Sequence, residues 1–238
     1  MRILSKFAMV VLALLGSSCG SRLPWRNEPV RSEVNLGFTL EHNLVELSTV
    51  TIDGRHGRFI LGSATQRTVL DPAFTPPRGR HALQLSKKET LALPSPARVA
   101  LGGVADAIIG ADAWHGHAIT IDYHSGTVTY QKEGIKPGLM TLFHFPAEPM
   151  IEVNVDGKTI QAIVDTASPD TLVLPAARPA RGTAHVRIAG MDFGAVGVQY
   201  ANVAHARVGN RLLYRFLVTI DYGQRLVGLW HDPRIPTS

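Results

Sequence analysis

The chain contains an internal repeat, and this repeat constrains the fold more than any other feature of the sequence. The first copy has the segment Val50-Thr51-Ile52-Asp53-Gly54, and the second has Val153-Asn154-Val155-Asp156-Gly157, 103 positions later. Near the end of the copies stand Ile119-Thr120-Ile121-Asp122-Tyr123 and Val218-Thr219-Ile220-Asp221-Tyr222, which are 99 positions apart. Two copies of about 90 residues predict two similar lobes that arose by duplication.

Short apolar segments separated by Gly, Pro, Asn and Asp follow one another through both copies. They are rich in β-branched residues, and no window keeps a helical period of about 3.6 residues over three turns. The sequence therefore predicts an all-β protein, with one short helical turn at residues 112–114. At 238 residues, of which 45% are hydrophobic, the chain is long enough for one large or two small domains with a core.

Residues 1–19 have the layout of a secretory signal peptide. Two basic residues precede an apolar run over residues 7–15, and small residues then lead to Cys19, the one cysteine of the chain. The segment Leu15-Gly16-Ser17-Ser18-Cys19 resembles a bacterial lipobox, with its leucine one position further from the cysteine than usual. The resemblance implies lipidation at Cys19 and a membrane anchor. Because Gly20 follows the cysteine, it also implies the outer membrane, facing the periplasm; the alternative is a soluble periplasmic protein.

Residues 20–40 are interpreted as a linker, since two prolines and mixed charges come before any recognised strand pattern. The first lobe is expected over residues 41–133 and the second over residues 142–232. The net charge of +5 includes the two basic residues of the signal segment, and the other charges are scattered. Because no basic stripe is interleaved with aromatic residues, we expect no nucleic-acid partner.

Residues 163–174 place an acidic loop between two apolar segments. The loop begins at Asp165 and continues with Thr166 and Ala167. Taken alone, the segment favours a polar turn over an active-site loop, because the Asp, Ser and Pro residues in it all favour turns. Within the repeat it has a counterpart 103 positions earlier, where the first copy has Gly62 followed by Ser63.

The order of elements in each copy resembles that of the retropepsin-like aspartic peptidases. Each copy has an Asp-Gly hairpin, a loop at the acidic position, a variable hairpin, a short segment that ends in glycine, and a closing strand that ends in Ile-Asp-Tyr. The family's loop reads Asp-Thr-Gly or Asp-Ser-Gly after an apolar pair, and this chain has Ile163-Val164-Asp165-Thr166-Ala167. Ile108-Ile109-Gly110 matches the family's later apolar-apolar-glycine element, at which the second copy has Arg207-Val208-Gly209. The resemblance spans roughly residues 41–230 and implies two β-barrel lobes that face each other as in pepsin.

The resemblance implies that Asp165 is the catalytic residue of a peptide-bond hydrolase with no cofactor and no metal. In this chemistry two carboxylates about 3 Å apart share one proton, and each lobe supplies one of them. Gly62 is the degenerate counterpart of Asp165, so the first lobe supplies no acid. Ser63 and Thr166 keep the hydroxyl groups that brace the two loops in the family, whereas alanine replaces the family's glycine in both loops, as at Ala167.

Two functions from different classes follow. In the first, the fold is degenerate and its cleft binds an extended peptide or a protein strand. In the second, the protein is an active aspartic endopeptidase. Two copies of Asp165 then meet across a homodimer, or Asp71 or Asp170 replaces the missing acid.

Other repeated features are given structural or auxiliary roles. Asp122 and Asp221 recur in both copies, and each precedes a segment that favours turns, so we expect both to stabilise turns. The variable hairpins near residues 76–93 and 183–198 stand where the family's flap closes over substrate.

Overall fold

The computed structural model describes residues 33–76, 79–114, 116–135 and 138–231. Cys19 and the rest of the signal segment lie outside these residues. Of the described residues, 52% lie in strands and 4% in helices, which confirms the all-β prediction and agrees with an arrangement in two lobes. The helical turn expected at residues 112–114 is present as a 3-10 helix, Ala111–Trp114.

Within the described residues, twenty strands and one short α-helix make up the remaining regular structure. In chain order they are β1 Glu33–Glu41, β2 Leu44–Leu47, β3 Thr51–Ile52, β4 Phe59–Leu61, β5 Val69–Leu70, β6 Arg80–Gln84, β7 Thr90–Pro94, β8 Ala97–Arg98, β9 Ala107–Ile109, β10 Ala118–Asp122, β11 Thr127–Gln131, β12 Thr141–His144, β13 Met150–Val155, β14 Lys158–Val164, β15 Leu172–Pro175, β16 Ala180–Ile188, β17 Met191–Ala201, β18 Ala206–Val208, α1 Asn210–Leu213, β19 Leu217–Asp221 and β20 Leu226–Trp230.

One large sheet connects the two lobes. Its order is β12-β20-β19-β10-β11-β1-β2-β4-β9-β5-β8, so that strands of the second copy lie at one end and strands of the first at the other. The lobes meet where β10 pairs antiparallel with β19, and Thr120 lies opposite Thr219 in this pairing. These residues are equivalent in the repeat, and their hydroxyl oxygens are 2.9 Å apart. The two copies are therefore related by an approximate two-fold axis that passes between these threonines.

The two lobes differ in how their strands close. The second lobe forms a closed barrel in the order β13-β14-β18-β15-β17-β16, whereas in the first lobe β3, β6 and β7 form a separate three-stranded sheet. In the second lobe, β13 and β14 pair over six residues. In the first lobe, Gly57 stands at the position of Ile160, and a Cβ atom there would lie 2.8 Å from both Phe59 and Phe74. Glycine is a poor strand residue, and the corresponding hairpin is reduced to the bridge between Ile52 and Arg55.

Strand β1 corrects the predicted linker. Residues 20–40 were expected to be a linker, but β1 begins at Glu33 and pairs with both β11 and β2. Its alternate side chains are apolar, and Leu36 and Phe38 are buried in the core. This two-residue alternation is the signal of a half-buried strand. In the large sheet, β1 lies beside β11 in the first copy, and β12 lies beside β20 at the equivalent place in the second copy. Strand β1 therefore belongs to the first copy, which starts earlier than expected.

The two Asp-Gly turns have the same geometry. Asp53 and Asp156 have φ angles of 51° and 50°, and the glycines that follow them also have positive φ. Such turns match the twist of a hairpin, and glycine adopts them without strain. The Asp53 carboxylate accepts a 2.9 Å hydrogen bond from the N–H of Ala82, and the Asp156 carboxylate accepts one of 2.9 Å from His185. Each turn thus holds the first strand of the variable hairpin in its own copy.

Candidate functional site

Two hydroxyl side chains hold the loops of the lobes together at the approximate two-fold axis. Thr166 Oγ1 donates to the Leu61 carbonyl at 2.6 Å and accepts the N–H of Ser63 at 2.9 Å. Ser63 Oγ donates to the Val164 carbonyl at 2.6 Å and accepts the N–H of Thr166 at 3.0 Å. Both side chains are completely buried. Each hydroxyl group therefore acts as donor and acceptor across the lobe boundary, and we call these four residues the bracing network.

Asp165 lies next to the bracing network at the end of β14. Its N–H donates to the Val208 carbonyl at 3.0 Å, which joins it to β18, and its carbonyl accepts the N–H of Ser168 at 3.1 Å. The N–H of Ala167 donates to Asp165 Oδ1 at 3.1 Å. Ala167 is not among the residues with positive φ, so alanine fits this loop without left-handed strain. Asp165 is only 5% exposed.

Arg207 forms an ion pair with Asp165. Its Nη1 atom lies 2.8 Å from Asp165 Oδ2, and the arginine side chain is 41% exposed while the aspartate side chain is 6% exposed. A carboxylate this deeply buried is costly unless it is paired and hydrogen-bonded. Asp165 has an arginine on one oxygen and a backbone N–H on the other. Its negative charge is therefore compensated inside the second lobe.

The first lobe repeats this backbone without the acid. The N–H of Gly62 donates to the Ile109 carbonyl at 2.9 Å, and its carbonyl accepts the N–H of Thr65 at 3.0 Å, as at Asp165. A Cβ atom on Gly62 would lie 2.5 Å from Ile108 Cγ2 and 2.7 Å from Thr65 Oγ1. Ile108 is the counterpart of Arg207, since the two are 99 positions apart. An isoleucine in the first lobe thus fills the space that a side chain at residue 62 would need.

The pair of Asp165 with Arg207 was not foreseen from the sequence, although a signal was present. Arg207 stands at a position where the family pattern has an apolar residue, directly before Val208 and Gly209. A charged residue on a short buried strand needs a partner. Asp165 occupies the neighbouring strand end, since β14 and β18 pair in parallel.

Tyrosines of the two closing strands reach across the lobe boundary. The Tyr222 hydroxyl donates to the Ser63 carbonyl at 3.3 Å, and the Tyr123 hydroxyl donates to Asn210 Oδ1 at 2.7 Å. The Asn210 amide in turn donates to the Thr166 carbonyl at 2.8 Å. Burial raises the pKa of both tyrosines, so both remain neutral hydrogen-bond donors at physiological pH. They support the same two loops as the bracing network.

The two other acids considered as replacements are used elsewhere. Both carboxylate oxygens of Asp71 accept backbone N–H groups, those of Leu101 and Ala73, and these hydrogen bonds lower the pKa of Asp71. Asp170 Oδ1 accepts a hydrogen bond from Gln199 Nε2 at 2.5 Å. Each acid therefore has hydrogen-bond partners of its own within its lobe.

The turn roles expected for the repeated aspartates are confirmed. Asp122 Oδ1 accepts the N–H groups of His124 and Ser125 at 2.9 and 3.2 Å. Asp221 is 1% exposed, and its two oxygens accept the N–H groups of Gln224 and Ile135, both at 2.8 Å. Both carboxylates therefore stabilise the turns that follow the paired closing strands.

In the part of the chain that the structure describes, no group of three or more His, Cys, Asp or Glu residues is placed to hold a metal ion. The helices found there are all too short or too polar to cross a membrane.

Neither a scan against protein-family models nor a search of curated protein sequences found a match to this chain.

Proposed function

We propose that the protein is a non-catalytic protein with a retropepsin-like fold, whose cleft between the lobes binds an extended peptide or a protein strand. The pairing of Asp165 with Arg207, opposite a loop that has Gly62, is the observation that carries this proposal. Aspartic peptidase chemistry needs two carboxylates that share one proton. Here a single carboxylate is compensated by a guanidinium 2.8 Å away, and Ile108 fills the space on the other side.

The retained parts of the site support a binding role. The bracing network still holds the two loops in fixed positions. The predicted variable hairpins correspond to the β6–β7 and β16–β17 hairpins. A rigid floor between two hairpins is suited to an extended ligand, because a preorganised surface reduces the entropy lost on binding.

An active homodimer is less well supported. A second Asp165 would have to come within about 3 Å of the first to share a proton. The bracing network already fills this approach with the chain's own Ser63 loop, and Asp165 is 5% exposed. Dimerisation through this site would therefore break four buried hydrogen bonds and the ion pair with Arg207.

Peptide retention and peptide cleavage test the proposal together. The chain without its signal segment is incubated with a mixed peptide library from pH 3 to pH 7, with and without pepstatin. We expect no pepstatin-sensitive cleavage, and we expect peptides to be retained on the immobilised protein. Ala167→Trp should lower retention because the indole would fill the cleft beside Asp165, while Ala177→Trp, at an exposed position outside both hairpins, should not.

Two outcomes would contradict the proposal. Pepstatin-sensitive cleavage that is lost in Asp165→Ala but kept in Asp192→Ala would show an active peptidase. Equal retention of peptides by Ala167→Trp and Ala177→Trp would show that the cleft is not the binding site.

We propose in addition that a lipid on Cys19 anchors the protein in the bacterial envelope, on the basis of the lipobox-like segment. In a bacterial host, Cys19→Ser should move the protein from the membrane fraction to the soluble periplasmic fraction. Ser18→Ala, a control substitution beside the cysteine, should leave it in the membrane fraction. Metabolic labelling with radioactive palmitate measures the acylation. A wild-type protein that is soluble and carries no label would contradict the lipid anchor and indicate that residues 1–19 are an ordinary signal peptide.

A further inference from the structure

A groove lies on the surface of the second lobe beside Asp170 and Thr171, at the far end of the loop that begins at Asp165, and reaches the first lobe at Leu40. One cavity of about 350 Å³ lies between β16, β17 and α1 and is lined by Arg181, Asp170 and Gln199, among others. A second cavity of about 590 Å³ is lined by apolar side chains together with more arginine. Thr171 and Arg211 line both cavities, so the two are adjacent. We call this surface the Arg211 groove.

The polar half of the Arg211 groove carries uncompensated positive charge. Among the described residues, the side chains of Arg181 and Arg211 form no hydrogen bond or ion pair, and both residues are exposed. Asp170 is the one carboxylate in the lining, and Gln199 donates to it. Arg215, at the other end, lies over the ring of Tyr214 with its guanidinium carbon 4.6 Å from the ring centre. In the polar half, the two guanidinium groups of Arg181 and Arg211 thus stand beside one carboxylate.

The other half of the groove is apolar and includes both lobes. Leu40, near the end of β1 in the first lobe, is 42% exposed, and Tyr214 of the second lobe is 43% exposed. Phe193 and Leu212 complete this end. Large apolar side chains exposed side by side next to polar groups mark a surface that binds a partner.

We infer that the Arg211 groove binds a peptide segment that carries a carboxylate beside an apolar side chain. A guanidinium group matches a carboxylate in shape and charge and can bind it with two parallel hydrogen bonds. Thr171, Gln199 and Asn43 add polar groups along the groove that can bind a peptide backbone. A peptide fits better than an anionic lipid, because these polar groups can form hydrogen bonds with a peptide backbone, which a lipid lacks.

This inference does not depend on the proposed function of the cleft. The residues that line the groove include neither the bracing network nor Asp165 and Arg207. Blocking the cleft with Ala167→Trp should therefore leave binding in the groove unchanged, so the two proposals can fail separately.

Fluorescence anisotropy with two labelled hexapeptides tests the inference. One peptide alternates Glu and Leu, and the other has Lys in place of Glu. We expect the Glu peptide to bind and Arg211→Gln and Arg181→Gln each to weaken it about tenfold, as the loss of one charge-assisted contact implies. Arg178→Gln removes the same charge from an exposed position outside the groove and should change nothing. Binding should also weaken as salt is raised, since exposed charges are screened.

Three results would overturn the inference. These are equal binding of the Glu and Lys peptides, an effect of Arg178→Gln as large as that of Arg211→Gln, and no binding of the Glu peptide at millimolar concentration. Vesicles that contain phosphatidylglycerol are measured in parallel. If Arg211→Gln weakened binding to the vesicles but not to the Glu peptide, the groove would be a lipid site and the inference would be wrong.

Discussion

Replacing Thr166 by valine is expected to lower the free energy of unfolding by about 2–5 kcal/mol. Valine keeps the shape of threonine but removes the hydroxyl group. The Ser63 N–H and the Leu61 carbonyl would then lose their partner, and both lie in a fully buried site. Each unsatisfied buried group costs roughly 1–3 kcal/mol. Urea unfolding followed by circular dichroism measures the change.

Thr120→Val is the matched control. Its hydroxyl group also bonds across the lobe boundary, to that of Thr219 at 2.9 Å, but Thr120 is only half-buried. Its loss leaves one hydroxyl group, that of Thr219, without its partner, whereas Thr166→Val strands two backbone groups, so we expect a smaller loss of about 1 kcal/mol. Combining Thr166→Val with Ser63→Ala should give a non-additive loss, because residues in one hydrogen-bond network are coupled. Equal effects at Thr166 and Thr120 would mean that the bracing network has no special role.

Much of the architecture follows from the repeat. Once two copies are recognised, the Asp-Gly turns, the paired loops and the closing strands must occupy equivalent places in two lobes. The hydroxyl groups of Ser63 and Thr166, 103 positions apart, were expected to face each other, and their reciprocal hydrogen bonds are present. An approximate two-fold axis explains this result, because any residue near such an axis lies close to its own counterpart.

Features that depend on the packing of side chains within a single lobe could not be predicted from the repeat. The first lobe does not form a closed barrel like that of the second, because Gly57 interrupts its hairpin. A comparison of the two copies shows what they share and does not reveal such a local difference. Strand β1 was missed because it lies before the first recognised repeat unit. The pairing of Arg207 with Asp165 requires the parallel register of β14 and β18, and a parallel pairing joins segments too far apart in sequence to be read from local pattern.

The two lobes show alternative solutions at equivalent positions. In the second lobe, the acid Asp165 is matched by the base Arg207; in the first lobe, Gly62 is matched by Ile108. Each pair is internally consistent, since a buried carboxylate needs a cation and a residue without a side chain leaves room for an apolar one. Introducing a second acid at residue 62 would therefore require a smaller residue than Ile108. This coupling supports the proposed non-catalytic role, because the first lobe leaves no room for a second carboxylate.

Gly209→Ala is expected to destabilise the protein by about 3–5 kcal/mol, from overpacking and lost hydrogen bonds together. A Cβ atom at Gly209 would lie 2.3 Å from the Asp170 carbonyl oxygen and 2.8 Å from that of Ser168. Both contacts are with backbone atoms, so no side chain can move aside. The Ser168 carbonyl also accepts the N–H of Asn210 at 3.0 Å. The substitution would thus disturb the loop that contains Asp165.

Gly110→Ala and Gly197→Ala show whether close packing at the repeated glycine is the cause. At Gly110, the equivalent position of the first lobe, a Cβ atom would lie 2.5 Å from the Thr65 carbonyl oxygen, whereas at Gly197 it would meet nothing within 4 Å. We expect Gly110→Ala to behave like Gly209→Ala, and Gly197→Ala to leave stability unchanged or to raise it by about 0.5 kcal/mol, since alanine reduces the entropy of the unfolded chain. The urea midpoint and slope distinguish these cases. If all three variants unfolded at the same midpoint, the repeated glycines would not be required by the close approach of the two chain segments, and packing at this point would not explain why both copies have glycine there.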